Sequence, residues 1–218
     1  MKTISSFILI CISACVFSQH SINLFSVKSR NNEFNNEVEG NMYFDTDFHL
    51  AIVDGKKEKP YMLRYNAYLD VMEFYEGKEL YFVEKDRHKI FDFGSGNYTY
   101  ILENYVPKGK NESINGYLIQ LVKGNVTLYK SQTIVYRLAE TKNIGFGQES
   151  KQERLEAAKE VYYVKVGEAN VVELPGSNDK LAELLNRNKK EFSKFMKENS
   201  LNMKREKDIV KLFKFINQ

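Results

Sequence analysis

From Tyr61 to Val83 the chain reads YMLRYNAYLDVMEFYEGKELYFV. This stretch narrows the possible folds more than any other. In an extended chain Tyr61, Leu63 and Tyr65 fall on one side and Met62, Arg64 and Asn66 on the other. Met72 and Phe74 face opposite to Val71, Glu73 and Tyr75, and Leu80 and Phe82 alternate with Tyr81 and Val83. The period of two breaks at Asn66–Asp70 and again at Glu76-Gly77-Lys78, where polar and glycine residues permit tight reversal. Three antiparallel strands joined by two turns are predicted.

The flanking sequence repeats this grammar. Met42–Val53 is apolar, ends on the turn dipeptide Asp54-Gly55, and is predicted to form a strand. Short β-rich runs follow at Ile90–Phe93, Tyr98–Tyr105, Tyr117–Val122 and Val126–Tyr129, each bounded by a turn, and Thr133–Leu138 is expected to continue the sheet. Ala139–Lys159 is polar, and Gln148–Lys159 suits a short helix or an ordered arm. Val161–Val166 and Asn170–Leu174 form a last hairpin. At Ser177 the period changes: Leu181, Leu184 and Leu185, then Phe192, Phe195 and Met196, then Ile209, Leu212, Phe213 and Ile216 recur at helical spacing, with Ser177 or Asn178 as N-cap. The predicted fold class is α+β: an antiparallel meander of about eight to ten strands, open-barrel or sandwich-like, capped by two or three C-terminal helices. Residues 42–176 would be the β domain and 177–218 the cap.

The N-terminus predicts export. Lys2 supplies a positive charge, Phe7–Phe17 an apolar core, and Ser18 a small residue before polar Gln19, so residues 1–18 read as a signal peptide. Cleavage after Ser18 is favoured over lipid attachment at Cys15, because Val16 and Phe17 prolong the apolar run where a polar tether is usual. The only cysteines, Cys11 and Cys15, lie in this segment, so the Ser18 cut removes disulfides and thiolate chemistry together. Residues 19–41 form a polar lead-in, with a short strand expected at Ile22–Val27.

Charge and motifs exclude more than they assign. A net charge of +3 is too small to imply nucleic acid. It is unevenly spread: residues 178–218 hold eleven basic and six acidic side chains, making a basic cap on a slightly acidic sheet. His20, His49 and His88 show no metal-ligand spacing, so neither a metal nor a cofactor is expected. Gly94-Ser95-Gly96 lacks the ending of a phosphate loop and leads into a strand. Asp45 and Asp47 form one carboxylate pair, and Asp70 and Glu73 flank a hairpin strand. Such pairs can do acid–base work, but they more often solvate turns or meet lysines. Arg64 between aromatics could stack or clamp a carboxylate, or it could pair with Asp70 or Glu73 and fix the hairpin. Arg64, Asn66, Tyr68, Asp70 and Glu73 are the candidate ligand-binding residues. Tyr61, Tyr65, Tyr68, Tyr75, Tyr81, Tyr98, Tyr100 and Tyr105 offer a possible aromatic face for sugar or peptide, against the commoner core-facing role.

Val16-Phe17-Ser18-Gln19, Leu63-Arg64-Tyr65-Asn66-Ala67-Tyr68 and the ending Lys211–Asn217 together resemble a group of exported proteins of Bacteroidota, of flavobacterial type. The group carries no established activity, so the resemblance implies location alone: periplasm, cell surface or secretion. The expected function is non-enzymatic binding of an envelope component or a protein partner, with membrane attachment only through a lipid at Cys15. The alternatives are a hydrolase of envelope or extracellular polymers and a structural or assembly factor.

Overall fold

The computed structural model of the chain describes residues 26–28, 38–85, 89–94, 98–145 and 147–218. The predicted signal segment, most of the predicted lead-in, His20 and His88 lie outside these described residues. One open antiparallel sheet holds eleven strands in the order β1-β5-β4-β3-β2-β6-β7-β8-β9-β14-β15. Its first half comprises β1 (Ser26–Lys28), β2 (His49–Val53), β3 (Tyr61–Asn66), β4 (Val71–Glu76), β5 (Glu79–Val83) and β6 (Ile90–Asp92). The second half comprises β7 (Thr99–Tyr105), β8 (Ile114–Val122), β9 (Val126–Lys130), β14 (Tyr162–Val166) and β15 (Val172–Glu173).

The predicted hairpin stretch is β3-β4-β5, with Arg64 opposite Glu73 and Glu73 opposite Phe82. Gly77 turns β4 into β5 with φ +64°, a conformation glycine adopts without the Cβ penalty. Two expectations need correction and a third resolves between its alternatives. Only His49–Val53 of the segment Met42–Val53 is a strand. Asn41 accepts a hydrogen bond from the Tyr43 amide, and Asp45 accepts one from the Asp47 amide. These side-chain turns compete with ladder pairing, so residues 42–48 run as an irregular strap. β10 (Ile134–Arg137) does not continue the sheet but leaves it to pair with β13 (Arg154–Ala157). Gln148–Lys159 is not a helix but the ordered alternative: β11 (Glu140–Ile144) pairs with β12 (Gly147–Lys151) as a separate hairpin, and β13 follows.

The first half of the sheet is strongly curled. At a strand spacing of about 4.8 Å, β3 and β8 would lie roughly 19 Å apart in a flat sheet, four positions from each other. Yet the rings of Tyr65 on β3 and Tyr117 on β8 are 6.1 Å apart. Polar side chains tie the curl where no backbone ladder does. Asp70 accepts hydrogen bonds from the Tyr117 amide (3.1 Å) and the Tyr65 hydroxyl (2.8 Å) and pairs with Lys85 (2.6 Å). Lys85 also donates to the Asn115 carbonyl. The inner face is a buried cluster that includes Ala51, Val53, Leu63, Met72, Phe91, Leu102 and Ile119.

Three helices cover the same face of the second half: α1 (Asn178–Leu184), α2 (Lys189–Glu198) and α3 (Glu206–Ile216). Ser177 caps α1, and Asn188 caps α2 by accepting from the Lys190 and Glu191 amides. Leu181, Ile209, Leu212 and Phe213 are fully buried against Val122, Val126, Leu128 and Val164. Asn217 ends α3 and pins it to the β8–β9 turn, donating to the Val126 and Phe213 carbonyls and accepting from the Val126 amide. A side chain at Gly124 would collide with this amide group. Asn217→Ala leaves the Val126 groups unpartnered and is expected to cost about 1–3 kcal/mol in a denaturant titration.

Lys130 links sheet and cap. It is 5% exposed and bridges Glu206 (2.8 Å) and Glu160 (3.2 Å), while the Tyr162 hydroxyl also donates to Glu206. Burial alone would raise the Glu206 carboxyl, but the Lys130 and Tyr162 hydrogen bonds outweigh it and hold the carboxyl below its usual range. A depressed folded-state pKa stabilises above the unfolded value, near 4.3, and that contribution is lost as pH falls through the folded value. Thermal melts of the wild type and Glu206→Gln between pH 3 and 7 should therefore differ most at the upper end and converge in acid. Parallel curves would contradict the bridge.

Candidate functional site

The strap over residues 42–48 creates two adjoining environments. Beneath it, on the outer face of β3 and β4, lies a buried polar network. Glu73 is 1% exposed. Its carboxylate accepts from Arg64 Nη2 (2.7 Å) and Nε (3.2 Å), from Asn66 Nδ2 (2.7 Å) and from the Tyr43 hydroxyl (3.0 Å). Arg64 also donates to the Thr46 carbonyl and to the Tyr43 oxygen. Its guanidinium carbon lies 3.8 Å from the Tyr43 ring centroid and 4.4 Å from that of Phe48, so the cation is sandwiched as well as paired. Burial and the Glu73 charge push the Tyr43 hydroxyl up to about 12, so it remains a donor at neutral pH. Asn66 turns its oxygen to the Tyr68 and Leu69 amides and so shapes the turn into β4.

The sequence candidates therefore separate. Arg64, Asn66 and Glu73 meet in one network that fastens the strap. Asp70 lies apart, tying the curl to β8 and Lys85. Tyr68 packs in the small cluster of Met42, Ala67, Ile134 and Leu155. Of the five, Arg64 alone reaches the cavity described next, along the side of the strap.

That cavity is the mouth of the curled sheet, about 400 Å³ in volume. Its walls are aromatic: Tyr65, Tyr100 and Phe93 from the strands and their ends, Tyr98 beside them, and Phe44 from the strap. Successive ring contacts run from core to rim. Phe91 meets Tyr117 edge-on at 5.5 Å, and Tyr65 lies 4.6 Å from Tyr100. Tyr100 then meets Phe93 at 5.8 Å and Tyr98 at 6.3 Å, both edge-on. Such packing fixes ring orientation, with each pair contributing about 0.5–1.5 kcal/mol beyond burial. The Tyr100 hydroxyl donates to Gln132 Oε1 at 2.6 Å, which holds its ring in place.

The polar rim is acidic. Asp45, Asp47 and His49 line it, with His49 Nε2 2.9 Å from Asp45 Oδ2. Bonds from the Asp47 amide and from His49 lower the Asp45 pKa, so this carboxyl stays ionised. Asp45, Asp47, Tyr65, Tyr98 and Tyr100 each carried a sequence signal, as a carboxylate pair and an aromatic face, whereas His49 was marked only by its lack of metal-ligand spacing. Nothing in the sequence placed them together, and Phe44, Phe93 and Gln132 carried no signal. Among the described residues, no group of three or more His, Cys, Asp and Glu side chains is placed to hold a metal ion, and no helix is long and apolar enough to cross a membrane.

Comparison with protein-family models, with curated proteins and with solved structures found no match.

Proposed function

We propose that the protein is a non-enzymatic binding protein of the cell envelope whose ligand enters the mouth of the curled sheet. The observation that carries this reading is the cavity itself: pre-formed, aromatic-walled and edged by a few polar groups, at a barrel-like mouth where ligand sites recur. Its rings are held by their neighbours, so little ordering cost is left for the bound state. Export, expected from residues 1–18, would carry it to the periplasm, to the cell surface or out of the cell.

The hydrolase alternative is less well supported. A glycosidase general acid needs a carboxyl that keeps its proton near neutral pH, hence a raised pKa. Asp45 is shifted the other way. Glu73, the most buried carboxylate of this region, is fully engaged by Arg64, Asn66 and Tyr43 away from the mouth.

The reading is tested by native mass spectrometry of protein recovered from its own source, beside a Phe93→Ala/Tyr98→Ala variant prepared identically. The wild type should carry a small-molecule adduct that the variant has lost. Identical spectra from the two proteins would sink the reading.

A further inference from the structure

Resting on that binding reading, we infer that the mouth selects a small organic cation, an alkylammonium or guanidinium group on a compact apolar body. The argument is one of charge and surface. Among the described residues two cations approach the mouth, and both are already spent. Arg64 is neutralised by Glu73 and stacked between Tyr43 and Phe48. Lys130, 5.6 Å from the Tyr98 ring centroid, is held by Glu206 and Glu160. The carboxylates at the rim are not matched in this way. Asp47 is exposed, and Asp45 has His49 as its partner, a cation only when protonated. The described residues thus give the mouth net negative charge at its rim and aromatic rings in its walls.

Both features attract the same chemistry. An aromatic face draws a cation within about 6 Å of its centroid, most strongly when water is excluded. Ionised carboxylates at the entrance add charge attraction and raise the capture rate. The Arg64 sandwich under the strap is the same recognition satisfied internally. An anionic ligand would meet Asp45 and Asp47 with no free cation among the described residues to answer it. A neutral sugar would stack on the rings without drawing on the two charges.

The test is calorimetric titration of the purified protein at low ionic strength with four probes: choline, agmatine, the neutral choline isostere 3,3-dimethylbutan-1-ol, and chitobiose. Choline or agmatine should bind at least ten-fold more tightly than either neutral probe, and weaken as salt is added. Asp45→Asn/Asp47→Asn should erase most of that preference while the protein still unfolds cooperatively, since an asparagine at position 45 keeps the side-chain oxygen that accepts from the residue-47 amide and both side chains are exposed. Equal or tighter binding of the isostere or chitobiose would overturn the cation selectivity and leave the mouth standing as a ligand site. So would a preference unchanged in the double variant. If none of the four probes binds, the inference falls, and the adduct experiment above decides separately whether the binding reading falls with it.

Discussion

Glu73→Leu is expected to lower the unfolding free energy by about 3–5 kcal/mol, because it removes the buried partner of a largely enclosed guanidinium. Arg64 would keep only the Thr46 carbonyl, the Tyr43 oxygen and two aromatic faces, and the Asn66 amide would lose its 2.7 Å acceptor. Against a total stability of about 5–15 kcal/mol for a domain, this is a large fraction. The companion variant Arg64→Met/Glu73→Leu removes both charges and should recover much of the loss, since apolar replacement of a whole buried pair is often close to neutral. Urea titrations of the wild type, each single variant and the double complete the cycle. A Glu73→Leu effect below about 1 kcal/mol would mean that the network does not hold the strap.

The second large effect concerns the helical cap. Deleting Asn178–Gln218 uncovers Val122, Val126, Leu128 and Val164, whose partners Leu181, Ile209, Leu212 and Phe213 are fully buried. A contiguous apolar sheet face of this kind drives association in water. The truncated protein should aggregate or lose its cooperative transition in size-exclusion chromatography and denaturant titration. Within the intact chain, Phe213→Ala should cost about 3–5 kcal/mol by leaving a cavity at the centre of the same interface. A truncated chain that stays monomeric and unfolds cooperatively would show that the helices are dispensable to the sheet.

Local signals in the sequence predicted local structure well. The alternation from Tyr61 to Val83 is enough to place β3, β4 and β5, and the shift to helical spacing after Ser177 is enough to place the cap. Both depend on interactions between residues close in sequence. Residues 42–48 show where such reading ends. Their apolar residues look strand-like, yet the backbone is claimed by Asn41 and Asp45 side chains and crosses the hairpin instead. That crossing buries Glu73, a residue whose charge and position suggest a solvated strand end. The mouth was still harder to foresee. Asp45, His49, Tyr65 and Tyr100 converge only because the sheet curls, and the curl depends on Asp70 and Lys85 reaching β8 across a long loop of sequence. No periodicity within one strand encodes that juxtaposition. The candidate residues Asn66 and Glu73 were conspicuous for being polar on a strand, and the structure uses that polarity to fasten the strap beside the mouth.

One measurement bears most directly on the mouth as the ligand site: aromatic carbon–proton correlation spectra recorded while choline is titrated into the protein. Shifts should saturate together on Phe93, Tyr98, Tyr100 and His49, while Phe195 and Phe215, stacked on the helical cap, stay in place. Shifts that gather on the cap would contradict the assignment, and spectra that do not move at all would contradict the cation selectivity argued for the mouth.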